Sequence, residues 1–296
     1  MIQTIPAKTI LQKSRFEPSE WFGIDFVMNL YRGCTHGCIY CDGRSNCYGI
    51  KTFEDVQVKQ DTDVLLAKTL RAKRSSGVIS TGVISDCYNV HEEELCVTRK
   101  ALNIIADCRF GVDVNTKSAL VTRDIDLLER IAWARSAMVR FSITTADDDL
   151  ARIIEPHAPP SSARFAAIKQ ISDGGIFTGV MLTPVIPFVT DSEENIQSIV
   201  ELAHQSGASF IYTLGGISIR DGQKEYFLSK LKKMSPKLAR RFQETYGSSY
   251  FCYSLELNDR LSQLREQCDK AGILYRMDDI IRASKNHSEQ EQTSLF

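Results

Sequence analysis

The segment Tyr31-Arg-Gly-Cys34-Thr-His-Gly-Cys38-Ile-Tyr-Cys41-Asp42 sets three thiols in the order C-x3-C-x2-C on one short, glycine-flanked loop. Whatever the chain folds into has to present that loop as a unit. Three thiolates suit a [4Fe-4S] cluster that leaves one iron open, because such a cube ordinarily takes four cysteines. A ligand from outside the protein then completes it. A zinc site is the alternative, since Cys34, Cys38, Cys41 and Cys47 can wrap a tetrahedral ion, although structural zinc more often joins two separate C-x2-4-C pairs.

The chain has 296 residues, enough for one large domain or a domain with an appendage. Hydrophobic residues make up 43%, charged residues 25%, and the net charge is −1, so overall charge argues for neither nucleic-acid nor membrane binding. Residues 1–15 alternate polar and apolar types without the continuous apolar run of a secretory signal. No stretch approaches the ~20 apolar residues of a membrane helix. Nine cysteines without a disulfide framework suggest a reducing compartment, hence the cytoplasm.

After the cysteine loop, short apolar runs alternate with helix-type segments, the pattern of βα units around a parallel sheet. Strands are expected at Phe26–Leu30, Val78–Ile84, Gly111–Thr116, Met138–Thr144, Ile176–Leu182 and Ser209–Thr213. Between them, Ile196, Ile199, Val200 and Ala203 recur at helical spacing behind a capping box of Thr190 and Glu193. Ile125, Leu128 and Ile131 form a second stripe, and Phe165, Ile168 and Ile171 a third, closed by Gly174-Gly175. The fold class is therefore α/β, a partial (β/α)6 TIM-like barrel over residues 1–219. A mainly helical appendage follows over residues 220–285, then a flexible polar tail over residues 286–296.

Ligands of such barrels gather at the C-terminal ends of the strands. Ser85 and Asp86 follow the second expected strand, Lys117 follows the third, and Ser142 lies near the end of the fourth. Asp86 or the Ser85 hydroxyl suits an ammonium, Lys117 a carboxylate, and Ser142 a further polar contact. Local backbone capping is the plainer role for each residue taken singly.

The cysteine loop, with Tyr40 just before its last cysteine, resembles the radical S-adenosylmethionine (SAM) superfamily. The series Tyr31–Asp42, Ser85-Asp-Cys-Tyr-Asn89, Thr116-Lys-Ser118, Arg123–Leu128, Glu155-Pro156 with Arg164, and Thr183–Pro187 is similar to its spore photoproduct lyase-like branch. That resemblance implies a [4Fe-4S] cluster on Cys34, Cys38 and Cys41, and SAM as the ligand of the open iron. It also implies a 5′-deoxyadenosyl radical, a cellular one-electron reductant, and SAM contacts from Ser85, Lys117 and Ser142. Two departures argue against spore photoproduct repair itself. Val83 stands where the lyase carries its hydrogen-donating cysteine, and Asp42 where it carries a second tyrosine. Cys87 is then a candidate hydrogen-atom donor, with an ordinary buried cysteine as its plainer role; Cys252 raises the same question.

Two features bear on the substrate. Residues 220–247 hold eight Lys/Arg against three Asp/Glu, a patch that can engage phosphates or simply solvate a helix pair. At the end of the chain, Gln292, Leu295 and Phe296 resemble the short motif with which bacterial repair and replication proteins dock on the DNA sliding clamp. Together with kinship to a repair lyase, these favour a nucleic-acid-linked substrate over a peptide or small metabolite. A zinc-containing nucleic-acid-binding module without catalysis is the remaining alternative.

Overall fold

The structure, a computed structural model, describes residues 2–293. Six strands lie parallel and in chain order: β1 (Phe26–Met28), β2 (Val78–Thr81), β3 (Gly111–Thr116), β4 (Ala137–Ser142), β5 (Phe177–Leu182) and β6 (Phe210–Thr213). Leu11–Lys13 adds an antiparallel strand outside β1. Helices α1 (Thr62–Arg71), α2 (Val97–Asp107), α3 (Ile125–Ala134), α4 (Ser161–Asp173) and α5 (Glu193–Gln205) connect successive strands. Repeated βα crossovers between neighbouring strands curl the sheet into the expected partial (β/α)6 barrel. Every residue of β4 and β5 is buried, as a parallel sheet covered on both faces requires.

The six expected strands all form, but β2 stops at Thr81 rather than Ile84. Gly82 has φ +84°, and a Cβ there would lie 1.9 Å from the Asn115 carbonyl oxygen, so the chain turns where only glycine fits. That turn lifts Val83 to Asp86 onto the mouth. Helix α5 is capped by Ser192, whose hydroxyl accepts from the Asn195 N–H at 3.2 Å; Thr190, the expected cap, instead accepts from the Ile186 N–H at 2.8 Å. At the opposite end of the barrel, Phe22, Phe177 and Phe210 pack with Ile280 and close the interior. Above them Arg140 on β4 donates to Asp113 on β3 at 2.5 and 2.6 Å, and Ser80 on β2 donates to the same carboxylate at 2.6 Å.

Beyond β6, the strands β7 (Gly216–Ser218) and β8 (Phe251–Tyr253) pair antiparallel, and helices α6 (Gln223–Met234), α7 (Pro236–Tyr246), α8 (Leu257–Ala271) and α9 (Met277–Thr293) follow. Ile217, Phe227, Leu231, Phe242 and Cys252 build a second core against Cys38, Ile39 and Tyr40. The appendage thus backs the cysteine loop. Helix α8 turns Leu264 and Cys268 into the main core, and Leu274 accepts from the Ile211 N–H at 2.8 Å on the outer edge of β6. The backbone of α9 continues to Thr293, past the expected start of the tail. Leu295, Phe296 and the Gln292 side chain of the suggested clamp motif lie outside the described residues.

Candidate active site

The cysteine loop is held by its own backbone. Gly33 has φ +86°, with the Phe53 carbonyl 2.6 Å from where a Cβ would be; the Cys34 N–H donates to that carbonyl at 2.8 Å, and the Ile39 N–H to the Ile154 carbonyl at 2.9 Å. Cys34 and Cys38 are buried and Cys41 half-buried, all as free thiols. Burial pushes each of the three thiols up to about 12; Asp86 adds to the rise at Cys34, whereas Lys117 opposes it at Cys38 and Cys41. Thiolates there need positive charge close by, which bound iron supplies.

Among the described residues no three or more His, Cys, Asp or Glu side chains group to hold a single metal ion. Cys47 is exposed, with its sulfur 3.5 Å from the Arg220 guanidinium. Three free thiols on one loop, two buried and one half-buried, with Cys47 exposed beside Arg220, fit a cluster held by three cysteines better than a four-cysteine zinc site.

A buried carboxylate ties this loop to the strand ends. Glu155 accepts from the Tyr40 hydroxyl and pairs with the Arg164 guanidinium. Thr144 Oγ1 lies 3.4 Å away and the Lys117 ammonium 3.9 Å away. Burial raises the Glu155 pKa, but Arg164 and then Lys117 overcome it and hold the carboxyl below its usual range. Burial likewise works against the charge of Lys117, and Cys38 and Glu155 more than restore it. The ammonium also sits 5.6 Å from the Tyr40 ring centroid. Arg164 donates to the Ser142 carbonyl at 2.9 Å, and the Ser142 hydroxyl to Asn115 Oδ1 at 3.4 Å, so Lys117 and Ser142 belong to one assembly with the loop.

Asp86 has a different place from the one its position on the rim suggested. Its carboxylate accepts from the Tyr88 N–H at 2.9 Å, Thr116 Oγ1 at 2.7 Å and the Lys117 N–H at 2.8 Å, and meets His36 Nε2 at 2.8 Å. Burial raises its pKa, yet His36 and the donated hydrogen bonds bring it down to about 2. With four protein donors around two oxygens, Asp86 braces the cysteine loop against β2 and β3 and has no acceptor left for an ammonium.

Ser85, 6% exposed, opens onto a cavity beside the loop. The structure does not support Cys87 as a hydrogen-atom donor: it is 2% exposed and packed in the main core, where burial raises its thiol pKa well above the usual value. Cys252 is fully buried as well. Val83, by contrast, is 53% exposed on the rim. Sequence reasoning gave no role to Glu155, Arg164 or His36. Glu155 and Arg164 were visible only as letters of the motif series, far along the chain from the cysteines they back.

The family model of the radical SAM superfamily matches residues 28–203, more than half of the chain. The chain belongs to the radical SAM superfamily. An uncharacterized protein of Mycobacterium tuberculosis is 28% identical over 257 residues, covering 83% of this chain and 75% of the relative. Another, from Methanocaldococcus jannaschii, is 32% identical over 188 residues, 62% of this chain and 69% of its own. Among solved structures, spore photoproduct lyase complexed with dinucleoside spore photoproduct superposes with a TM-score of 0.69 at 18% identity, covering 93% of this chain and 81% of the lyase. That likeness establishes the shared lyase-like radical SAM fold. Membership of the superfamily implies an enzyme that uses SAM and an iron–sulfur cluster.

Proposed function

We propose that the protein binds a [4Fe-4S] cluster through Cys34, Cys38 and Cys41 and cleaves SAM reductively. Bound there, a cluster would supply the electron, drawn from a cellular one-electron reductant, for cleavage of the SAM sulfur–C5′ bond into methionine and a 5′-deoxyadenosyl radical able to take a hydrogen atom from the substrate. The observation that carries this reading is the set of three free thiols on one loop, with the Lys117 ammonium acting on Cys38 and Cys41 at the mouth of the parallel sheet.

In this reading Lys117 holds the SAM carboxylate, and the Ser85 and Ser142 hydroxyls serve its polar groups. Glu155 keeps Lys117 charged and aimed, and Asp86 with His36 fixes the loop so that sulfurs and ammonium keep their spacing. The appendage behind Cys38 and Tyr40 keeps water from the back of the loop, so the protein orients the cofactor while the cofactor supplies the chemistry. A nucleic-acid-linked substrate is favoured by the eight Lys/Arg against three Asp/Glu within residues 220–247 and by the fold shared with a lyase solved on a dinucleoside lesion. Among the described residues no helix is long and apolar enough to cross a membrane, and all nine cysteines are free, in keeping with a cytoplasmic protein.

Anaerobic reconstitution followed by reduction with SAM tests the reading. The wild type should be brown and release 5′-deoxyadenosine, whereas Cys38→Ala should do neither. A colourless wild type that leaves SAM intact would refute it. Docking on a sliding clamp is tested separately, by titrating the full chain against the clamp with Leu295→Ala/Phe296→Ala as control; equal binding by both ends that idea.

A further inference from the structure

The cavity beside Ser85 has a volume of about 390 Å³, within the range of small-molecule sites. Its wall is a small sheet in which Gln57–Lys59 pairs in parallel with Gln3–Ile5 and antiparallel with Tyr31–Arg32, just ahead of Cys34. The Gln60 N–H closes the wall onto the Ile5 carbonyl at 2.9 Å, and the Lys59 N–H onto Leu30 at 3.0 Å. This construction brings Lys8, Arg32 and Lys59 to one cavity, together with Asn29 and Ser85, and no acidic side chain lines it. The Arg32 guanidinium is fixed by the Gly49 carbonyl at 2.8 Å. Among the described residues none of the three cations is paired with a carboxylate, and the side chains of Asn29 and Ser85 make no hydrogen bond.

Cations on a protein of net charge −1 ordinarily find acidic neighbours, so three without one around a single hollow is a local arrangement. Partial burial and then the Arg32 charge pull the Lys59 ammonium below its ordinary pKa. A guanidinium fork, two ammonium groups, an amide and a hydroxyl are the donors that a phosphate's oxygens require.

We propose that this cavity binds a phosphate group of the substrate, with Arg32 and Lys59 as its principal contacts and Lys8 at its edge. Ser85 lines the cavity and belongs to the proposed SAM site, so a phosphate held there would lie next to the cofactor. The inference rests on the reading of Ser85 as part of the SAM site, and it narrows the substrate to one carrying a phosphate monoester or diester next to the reacting unit.

The test is a binding titration of the anaerobically reconstituted full chain with cytidine 5′-monophosphate, with cytidine, and with a ten-nucleotide single strand. The phosphorylated ligands should bind more tightly than cytidine, Lys59→Gln and Arg32→Gln should each weaken them about tenfold, and Lys59→Arg should restore most of the loss. Thermal unfolding shows whether each variant is folded, and Lys59→Arg covers the case in which Lys59→Gln is not. If the single strand binds but Lys59→Gln and Arg32→Gln bind it like the wild type, the cavity is not the phosphate site, while the nucleic-acid reading stands. If cytidine 5′-monophosphate binds through Lys59 and Arg32 but the strand does not, the cavity is confirmed and the substrate is a nucleotide-sized phosphate. No preference for either phosphorylated ligand over cytidine overturns the proposal.

Discussion

Among the described residues, the barrel interior contains two buried carboxylate–arginine pairs, one toward each end, and they differ in their balance of charge. At the closed end Asp113 meets Arg140, with Ser80 completing the carboxylate, so one positive group answers one negative group. At the mouth Glu155 meets both Arg164 and Lys117, with Tyr40 donating a further hydrogen bond, so two positive groups answer one negative group. The lower pair is a self-contained brace. The upper assembly keeps a surplus cation beside the three cysteines, which is what a site for an anionic ligand group needs.

Removing the carboxylate at either end separates the two roles. Asp113→Asn and Glu155→Gln both leave an arginine buried without its partner, and each should cost roughly 3–5 kcal/mol of stability in a urea titration. Only Glu155→Gln should also weaken SAM binding, because it frees Lys117 from the geometry that aims it. If Asp113→Asn weakens SAM binding as much as Glu155→Gln, the mouth assembly has no special role and both carboxylates are merely structural.

Lys117→Ala sharpens the contrast from the cationic side. The surplus charge is lost while Glu155 keeps Arg164, so folding should hold and iron content should match the wild type. SAM should bind about tenfold more weakly, the scale of one charge-assisted contact. Equilibrium binding at constant ionic strength checks this, and unchanged affinity would remove Lys117 from the site.

The six strands and the cysteine loop were legible because they are local: periodicity marks β3 through β6, and C-x3-C-x2-C lies within eight residues. Roles that depend on which groups converge were not. Asp86 follows the second expected strand, the position from which a role at the mouth is expected, yet four donors from three segments fill its oxygens. Cys87 lies two residues from Ser85 but faces the core, a direction that no count of residues after a glycine turn reveals. The N-terminal strand Gln3–Ile5 is three mostly exposed residues, too short for alternation to mark it as a strand, and so the wall of the phosphate cavity left no trace in the pattern.

That cavity extends the comparison to a third cluster of cations, one with no carboxylate at all, and pH probes it. Lys59 has a pKa held below the ordinary lysine value by burial and by Arg32, with Lys8 the other titratable cation lining the cavity. As pH rises through that lowered value, Lys59 loses its proton and phosphate affinity should fall, at a pH where an exposed lysine is still charged. Stability runs the other way: the folded state binds this proton less tightly than the unfolded chain, so folding gains as pH rises through the folded pKa. Titrations with cytidine 5′-monophosphate at successive pH values should therefore show an affinity loss that Lys59→Arg abolishes. A loss with the same midpoint in Lys59→Arg would place the titrating group elsewhere and leave Arg32 as the only tested cation in the cavity.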